Sequence, residues 1–185
     1  LAAHRPVLPP PQALDTTQDR LIEKRFIRAL QLDVPDFEPV TSADDLRRAV
    51  HKLGRPSVLK TRRFGYDGKG QVMIRPETDL DHAWDLIGRA PAILESFVPF
   101  EREVSVVAAR NAVGEIRAFD VTENHHEHHI LSTSILPARI QGSTARQAED
   151  AACKIGEALA YVGVFAVEFF VVGTGEAERL LVNEI

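Results

Sequence analysis

The chain has 185 residues, 44% hydrophobic and 26% charged, with a formal net charge of -5 and one cysteine. This is ordinary globular composition, enough for one good-sized domain or two small lobes. A single cysteine excludes an internal disulfide and fits a reducing compartment, the acidic balance lacks the basic stripe of a nucleic-acid binder, and no apolar run approaches the roughly 20 residues that span a bilayer.

The opening "LAAHRPVLPPPQALD" has no long apolar stretch of the kind a signal peptide needs, so the expectation is a cytoplasmic protein without membrane or nucleic-acid partners. Its prolines predict an extended connector. "TTQDRLIEKRFIRALQL" then places Ile22, Phe26, Ala29 and Leu30 on one helical stripe. "DVPDFEPV" reads as extended. "SADDLRRAVHKLG" predicts a helix with Ser42 as its cap, Gly54 at its end, and Leu46, Ala49, Val50 and Leu53 inward. Two short strands, "PSVLKTRR" and "QVMIRP", flank the stretch "FGYDGKG". "TDLDHAWDLIGRA" is another helix, with Leu80, Ala83, Trp84 and Ile87 inward.

The second half changes character. "AILESFV" is a strand, and "EVSVVAAR" and "EIRAFDVT" alternate about the turn "NAVG". A less regular stretch follows. "STARQAEDAACKIGEALAYVG" then puts Ala145, Ala148, Ala152, Ile155, Leu159 and Val162 on one face of a helix. "VFAVEFFVV" and "LLVNEI" close the chain as a hairpin around "GTGEAER". Helices and strands mix without strict alternation, which predicts an α+β class in two lobes. Leu1 in place of a methionine, and a last strand that reads as caught in mid-course, lead to the expectation of a domain cut from a longer polypeptide.

Three constellations could carry chemistry. Gly65, Gly68 and Gly70, with Asp67 and Lys69 between them, form either a hairpin turn or a loop whose bare amides approach phosphate. Lys60 ends the preceding strand, where it could meet a phosphate or simply be solvated. The closing hairpin, folded symmetrically about Glu176, sets Glu168 opposite Glu184 on a face shared with Ala166, Phe170 and Val182. Like charges about 5 Å apart across a ladder repel, by about 3 kcal/mol at an effective dielectric of about 20. A cation between them, Mg²⁺ above all, would relieve this; a slipped register that leaves both in solvent would avoid it. "NHHEHH", residues 124–129, puts His125, Glu127 and His129 on one face of an extended segment and His126 and His128 on the other, open to a metal reading or to a polar turn. Cys153 sits beside the core stripe of its helix, as small packing rather than a nucleophile.

Taken in order, "DRLIEKRF", "VLKTRRFGYDGKGQ", "ILESFVPFEREVSV", "ENHH", "VGVFAVEFF" and "LLVNEI" resemble the ATP-grasp ligases, and within them the 5-(carboxyamino)imidazole ribonucleotide synthases of purine biosynthesis. The resemblance spans nearly the whole chain. It implies an ATP-grasp fold: residues 1–40 as connector and helix from a preceding lobe, 41–98 as the lid lobe, and 99–185 as the larger antiparallel lobe. It implies that Lys60 and Lys69 serve catalysis and that Gly65, Tyr66, Asp67, Gly68, Lys69, Gly70 and Gln71 form a phosphate-covering loop. Glu95, Ser96, Phe97 and Val98 match the hinge that holds adenine largely through backbone groups, and Glu103 the acid that takes the ribose hydroxyls. Arg20, His126 and Asn183 match further ATP contacts, and Glu168 and Glu184 the magnesium carboxylates, with manganese as the alternative ion. The implied substrates are ATP, bicarbonate and aminoimidazole ribonucleotide, joined through carboxyphosphate, in an enzyme of a family with homodimeric members. Phe64 stands where many relatives have glycine, and "GTGEAER" is long for a turn. Rival readings are an ATP-grasp carboxylase or transformylase with another amine acceptor, a non-catalytic nucleotide-binding module, and a histidine-rich metal carrier.

Overall fold

Period-two stretches, punctuated by Gly, Pro and Asn turns, pair into two antiparallel sheets. The structure is a computed structural model and describes residues 7–65, 68–128 and 130–185. The first sheet runs in the order β1 (Phe37–Val40), β4 (Ala92–Ser96), β2 (Ser57–Thr61), β3 (Gln71–Ile74). Helices α3 (Ala43–Leu53) and α4 (Leu80–Leu86) pack Leu46, Ala49, Val50, Ala83, Trp84 and Ile87 against Val40, Leu59, Ile74, Ala92 and Leu94. The expected cap is in place: Ser42 Oγ accepts from the Asp45 amide at 3.1 Å, and Gly54 ends α3 at φ 81°.

The second sheet has the order β10 (Arg179–Glu184), β9 (Gly163–Val172), β5 (Arg102–Arg110), β7 (Thr122–Glu127), β8 (Ile130–Ile135), with β6 (Ile116–Ala118) paired to β5. Helix α5 (Gly142–Ala158) lays Ala148, Ala152 and Ile155 on Val104, Val106, Val167 and Phe169. Helix α2 (Arg20–Ala29) lies between the two halves, touching both β4 and β10.

Four local expectations are corrected. The proline-rich opening is not wholly extended: α1 (Pro11–Thr17) starts on Pro11, tolerated there because the first-turn N–H needs no helical partner. The buried face of α2 is Leu21, Glu23, Lys24 and Ile27, whereas Ile22 of the expected stripe is 41% exposed. Residues 122–135, expected to be irregular and loop-like around the histidines, are the strands β7 and β8, with a bulge between His125 and His126. The polar side chains of β7 hid its pattern, since one of its faces looks into a cleft rather than a core. In the last hairpin Val182 faces Phe169, not Phe170, and so belongs to the core face. A bulge between Val182 and Glu184 then restores the pairing of Glu184 with Glu168.

Close packing of α5 on its sheet depends on Gly156. A Cβ built there would lie 2.5 Å from Phe165 Cζ and 2.8 Å from Ile116 Cδ1. Alanine would favour the helix by about 0.5–1 kcal/mol but overpack the interface by about 1–3 kcal/mol. Gly156→Ala is expected to destabilise the fold by about 1–2 kcal/mol in urea denaturation; a stabilised variant would mean that the ring shifts freely.

Candidate functional site

Each sheet carries helices on one face and leaves the other to a shared cleft of about 890 Å³. Alternation decides which residues line it. Leu59 and Ile74 point into the first core, so Val58, Lys60, Gln71 and Met73 point into the cleft. Val104, Phe169 and Val171 point into the second core, so Glu103, Glu168 and Phe170 face the cleft from the other side. Arg20, Gly65, Gly68, Lys69, Glu95, Ser96, Phe97, Val98, His126, Asn183 and Glu184 complete the candidates brought together there. Gly70 is not among the lining residues. Its φ is +71°, a Cβ would meet Thr61 Oγ1 at 2.6 Å, and its carbonyl accepts from the Thr61 amide, so it roots the loop at the strand pair. Tyr66, Asp67 and His129 lie outside the described residues.

The cleft is organised around Glu95, on the central strand β4. Its carboxylate is 2% exposed and accepts from Lys60 Nζ at 2.6 Å through Oε2, while Oε1 faces Lys24 Nζ at 3.5 Å. Burial pushes this carboxyl up, but the two ammonium groups outweigh it and hold it at about 2, below its ordinary 4.5. Oε1 has no hydrogen bond; its contact with Lys24 is charge alone. Expected to hold an adenine largely through its backbone, Glu95 also fixes the cleft's lysine. Lys24 was missed in the sequence. Its signal was a lysine in the spacing Leu21, Lys24, Ile27, an apolar stripe broken by one charge.

On the facing sheet, the bulge at Asn183 turns Glu184 to the side of Glu168. Burial and the Glu184 charge both push the Glu168 carboxyl up, with His126 pulling the other way. Two hard, mutually repelling oxygen donors beside a polar cleft suit a divalent cation whose remaining ligands are phosphate oxygens and water. Among the described residues no group of three or more His, Cys, Asp or Glu is placed to hold a metal by itself. His125 and His126 are spent separately: His126 Nδ1 meets Glu103 Oε2 at 2.7 Å, and His125 Nε2 lies 3.2 Å from Glu123 Oε1. Glu123 is itself gripped by Arg139 at 2.5 and 3.1 Å, which, against burial, holds its carboxyl at about 2. Phe100, unforeseen, stacks at 4.7 Å on Phe170, which shares the Glu168 face as the hairpin count expected, on the cleft wall beside Glu103.

The glycine loop leaves β2 from a fixed root. Asp19 caps α2 and binds Arg62 through Nε at 2.9 Å and Nη2 at 2.7 Å, with Arg63 Nε at 3.3 Å. Phe64 then adopts φ 62°, 92% exposed, a left-handed conformation that glycine takes without strain.

This arrangement has known counterparts. Residues 25–185 match the ATP-grasp domain. The chain belongs to the ATP-grasp family. It is 48% identical over 180 residues to an N5-carboxyaminoimidazole ribonucleotide synthase of Brucella melitensis, covering 96% of this chain and 49% of that protein. Among solved structures it superposes on the N5-carboxyaminoimidazole ribonucleotide synthetase of Thermus thermophilus with a TM-score of 0.90 and 42% identity, covering 100% of this chain and 49% of the other. The Staphylococcus aureus N5-carboxyaminoimidazole synthetase complexed with ADP matches with a TM-score of 0.85 and 36% identity, over 94% and 45% of the two chains. The chain therefore spans about half the length of the relatives it matches, and its two sheets with the cleft between them are the ATP-grasp architecture.

The Glu95 cluster of this ATP-grasp cleft gives a pH test. A carboxyl drawn down from 4.5 to about 2 contributes stability that is complete above 4.5 and is lost as pH falls towards 2. Glu95→Gln leaves Lys24 buried without its counter-charge, a loss of about 3–5 kcal/mol. Urea melts of the two forms should differ most above pH 4.5 and converge towards pH 2; a gap that does not change with pH would show that Glu95 is not ionised in the fold.

Proposed function

We propose that this chain forms the Mg·ATP-binding cleft of an enzyme that carboxylates 5-aminoimidazole ribonucleotide to its N5-carboxy product, using ATP and bicarbonate. The observation that carries the reading is the meeting, across one cleft, of the Lys60–Glu95 pair with the Glu168–Glu184 pair. The relatives named for this reaction, and the structure bound to ADP, support it. The same reading makes the protein cytoplasmic and homodimeric, as the family resemblance implies.

The residues divide the work by chemistry. Ser96, Phe97 and Val98, beside Val58, Met73 and the Phe100–Phe170 stack, form a wall suited to a flat adenine ring. Glu103, steadied by His126, accepts the ribose hydroxyls. Lys60, Lys69, Arg20 and the amides of Gly65, Gly68 and Gln71 would surround the phosphates with positive charge and donors. Glu168 and Glu184 would hold Mg²⁺, with Asn183 beside them. When bound there, the ion neutralises charge on the transferring phosphoryl group.

A bicarbonate oxygen attacks the γ-phosphorus as the bond to ADP breaks, giving carboxyphosphate. The aminoimidazole nitrogen then attacks the carboxyl carbon, releasing phosphate and losing one proton. The chain's part is to align the phosphoryl group, spread its charge, and shield the labile mixed anhydride from water. A glycine loop anchored at Asp19 and Arg62 suits closure over the phosphates.

The test is phosphate release from Mg·ATP by the full-length polypeptide, with and without aminoimidazole ribonucleotide and bicarbonate. Strong stimulation by the ribonucleotide is expected; turnover indifferent to it would move the function to another acceptor. Lys60→Ala should weaken ATP binding by about tenfold or more, the worth of one charged hydrogen bond. Glu168→Gln should raise the Mg²⁺ concentration needed for half-maximal turnover. Full turnover at unchanged ATP and Mg²⁺ demand in both variants would overturn the site assignment.

A further inference from the structure

Lys24 is only 1% exposed, in the middle of α2 and between the two sheets. Its Nζ donates to the carbonyl of Asn183 at 2.6 Å, lies 3.4 Å from that of Val182, and sits 3.5 Å from Glu95 Oε1. It lines no part of the cleft. Its neighbour Glu23, 3% exposed, accepts the amide of Ile185 at 3.0 Å. Helix α2 therefore grips β10 on both sides of Glu184: Lys24 holds residue 183 and Glu23 holds residue 185.

Strand geometry explains why a grip is needed there. A bulge leaves its extra residue out of the ladder, so nothing in the regular pairing of β9 with β10 fixes residue 183. Yet this bulge is what turns Glu184 to the side of Glu168. Lys24 supplies the donor that the ladder withholds. With the same ammonium it faces the carboxylate that holds Lys60. For space-filling alone, a methionine or leucine would avoid the desolvation of a fully buried charge.

We propose that Lys24 is a positioning residue that sets the cleft's lysine and its metal-facing carboxylate in register across the two lobes. The proposal rests on the reading that Lys60 meets nucleotide and that Glu168 and Glu184 meet Mg²⁺. Lys24 touches neither ligand; it acts through Glu95 on one sheet and through the Asn183 bulge on the other. A disturbance at this single buried residue therefore reaches both ligands together, whereas Lys60 acts from β2 through its bond to Glu95 and reaches only one.

The experiment is a Mg²⁺ titration of ADP binding by the full-length polypeptide, by calorimetry, for the parent, Lys24→Met and Lys60→Met. Lys24→Met should raise both the ADP dissociation constant and the half-saturating Mg²⁺ concentration, each by about tenfold. Lys60→Met should raise only the first. A merely structural lysine would lower the melting temperature and leave the half-saturating Mg²⁺ unmoved, so a folded Lys24→Met with parental Mg²⁺ demand overturns the proposal. Should Lys24→Met not fold, Lys24→Gln, which keeps a donor without the charge, carries the same comparison and should fall between parent and the expected methionine values. Hydrogen exchange in the unmutated protein adds a measurement free of folding defects: Mg·ADP should protect residues 20–29 together with 179–184, and protection of the second segment alone overturns the proposal. A parent that binds no Mg·ADP overturns the functional reading itself, and this proposal with it.

Discussion

The architecture hangs on one buried carboxylate between two ammonium groups. Glu95 lies at the centre of the four-stranded sheet, where a lone charge would cost several kcal/mol. Lys60 comes from the neighbouring strand and Lys24 from the helix that bridges the sheets. Burial works against the charges of Glu95 and Lys24. For the carboxylate the two cations prevail; for Lys24, burial and the nearby Lys60 draw the ammonium below its ordinary value, although Glu95, Glu23 and Glu184 pull it back. The cluster also carries more positive than negative charge, which leaves the cleft side of Lys60 suited to a polyanion. A hydrophobic trio would fill the same space at less electrostatic cost, but would hold no lysine at a defined place in the cleft.

The opposite wall solves the converse problem of holding two like charges side by side. In a regular ladder a residue's face is fixed by parity, so Val182 and Glu184 should look the same way. They do not: Val182 is 2% exposed in the core and Glu184 faces the cleft, because one residue between them is excluded from the pairing. Without that bulge Glu184 would follow Val182 into the apolar layer beneath the sheet, where no cation could reach it. The repulsion with Glu168 persists: burial first, and then the Glu184 charge, push the Glu168 carboxyl up. The fold thus keeps a local cost that a bound cation would relieve.

What was legible in the sequence follows from which forces act locally. Elements with one wet and one dry face announce themselves, so α3, α4, α5, β5 and β9 were readable from periodicity, and the α3 cap from Ser42. The Glu168–Glu184 pair was found by counting out from the hairpin turn, although the count was wrong along most of the strand. A 3₁₀ turn at Gly175–Ala177 shifts the register by one and the bulge shifts it back. Bulges leave no periodic trace, so nothing short of the paired strands exposes them. β7 escaped because its residues are polar on both faces, and β8 because it is exposed along almost its whole length and has no dry face to set a period. Lys24 and Glu23 escaped for a related reason: charged residues on a helix are assigned to solvent by default, and only Glu95 and Ile185, partners far away in the sequence, give them a reason to be buried.

Those two long-range partners bear on how the lobes cooperate. In the proposed site Lys60 and the hinge lie on one sheet and Glu103, Glu168 and Glu184 on the other, so a chemical step that needs both walls requires the sheets to keep a common frame. Backbone ladders cannot supply it, since each ladder closes within its own sheet. Helix α2 can, because one turn of helix presents Glu23 and Lys24 to β10 while Lys24 also reaches β4, and the cap at its start, Asp19, pins Arg62 at the root of the glycine loop. One rigid element of ten residues thereby ties three parts of the cleft: the strand that aims the lysine, the bulge that aims the carboxylate, and the root from which the loop departs. The ties are hydrogen bonds and ion pairs made by mostly buried side chains, and are therefore directional where apolar packing alone would let the sheets slide.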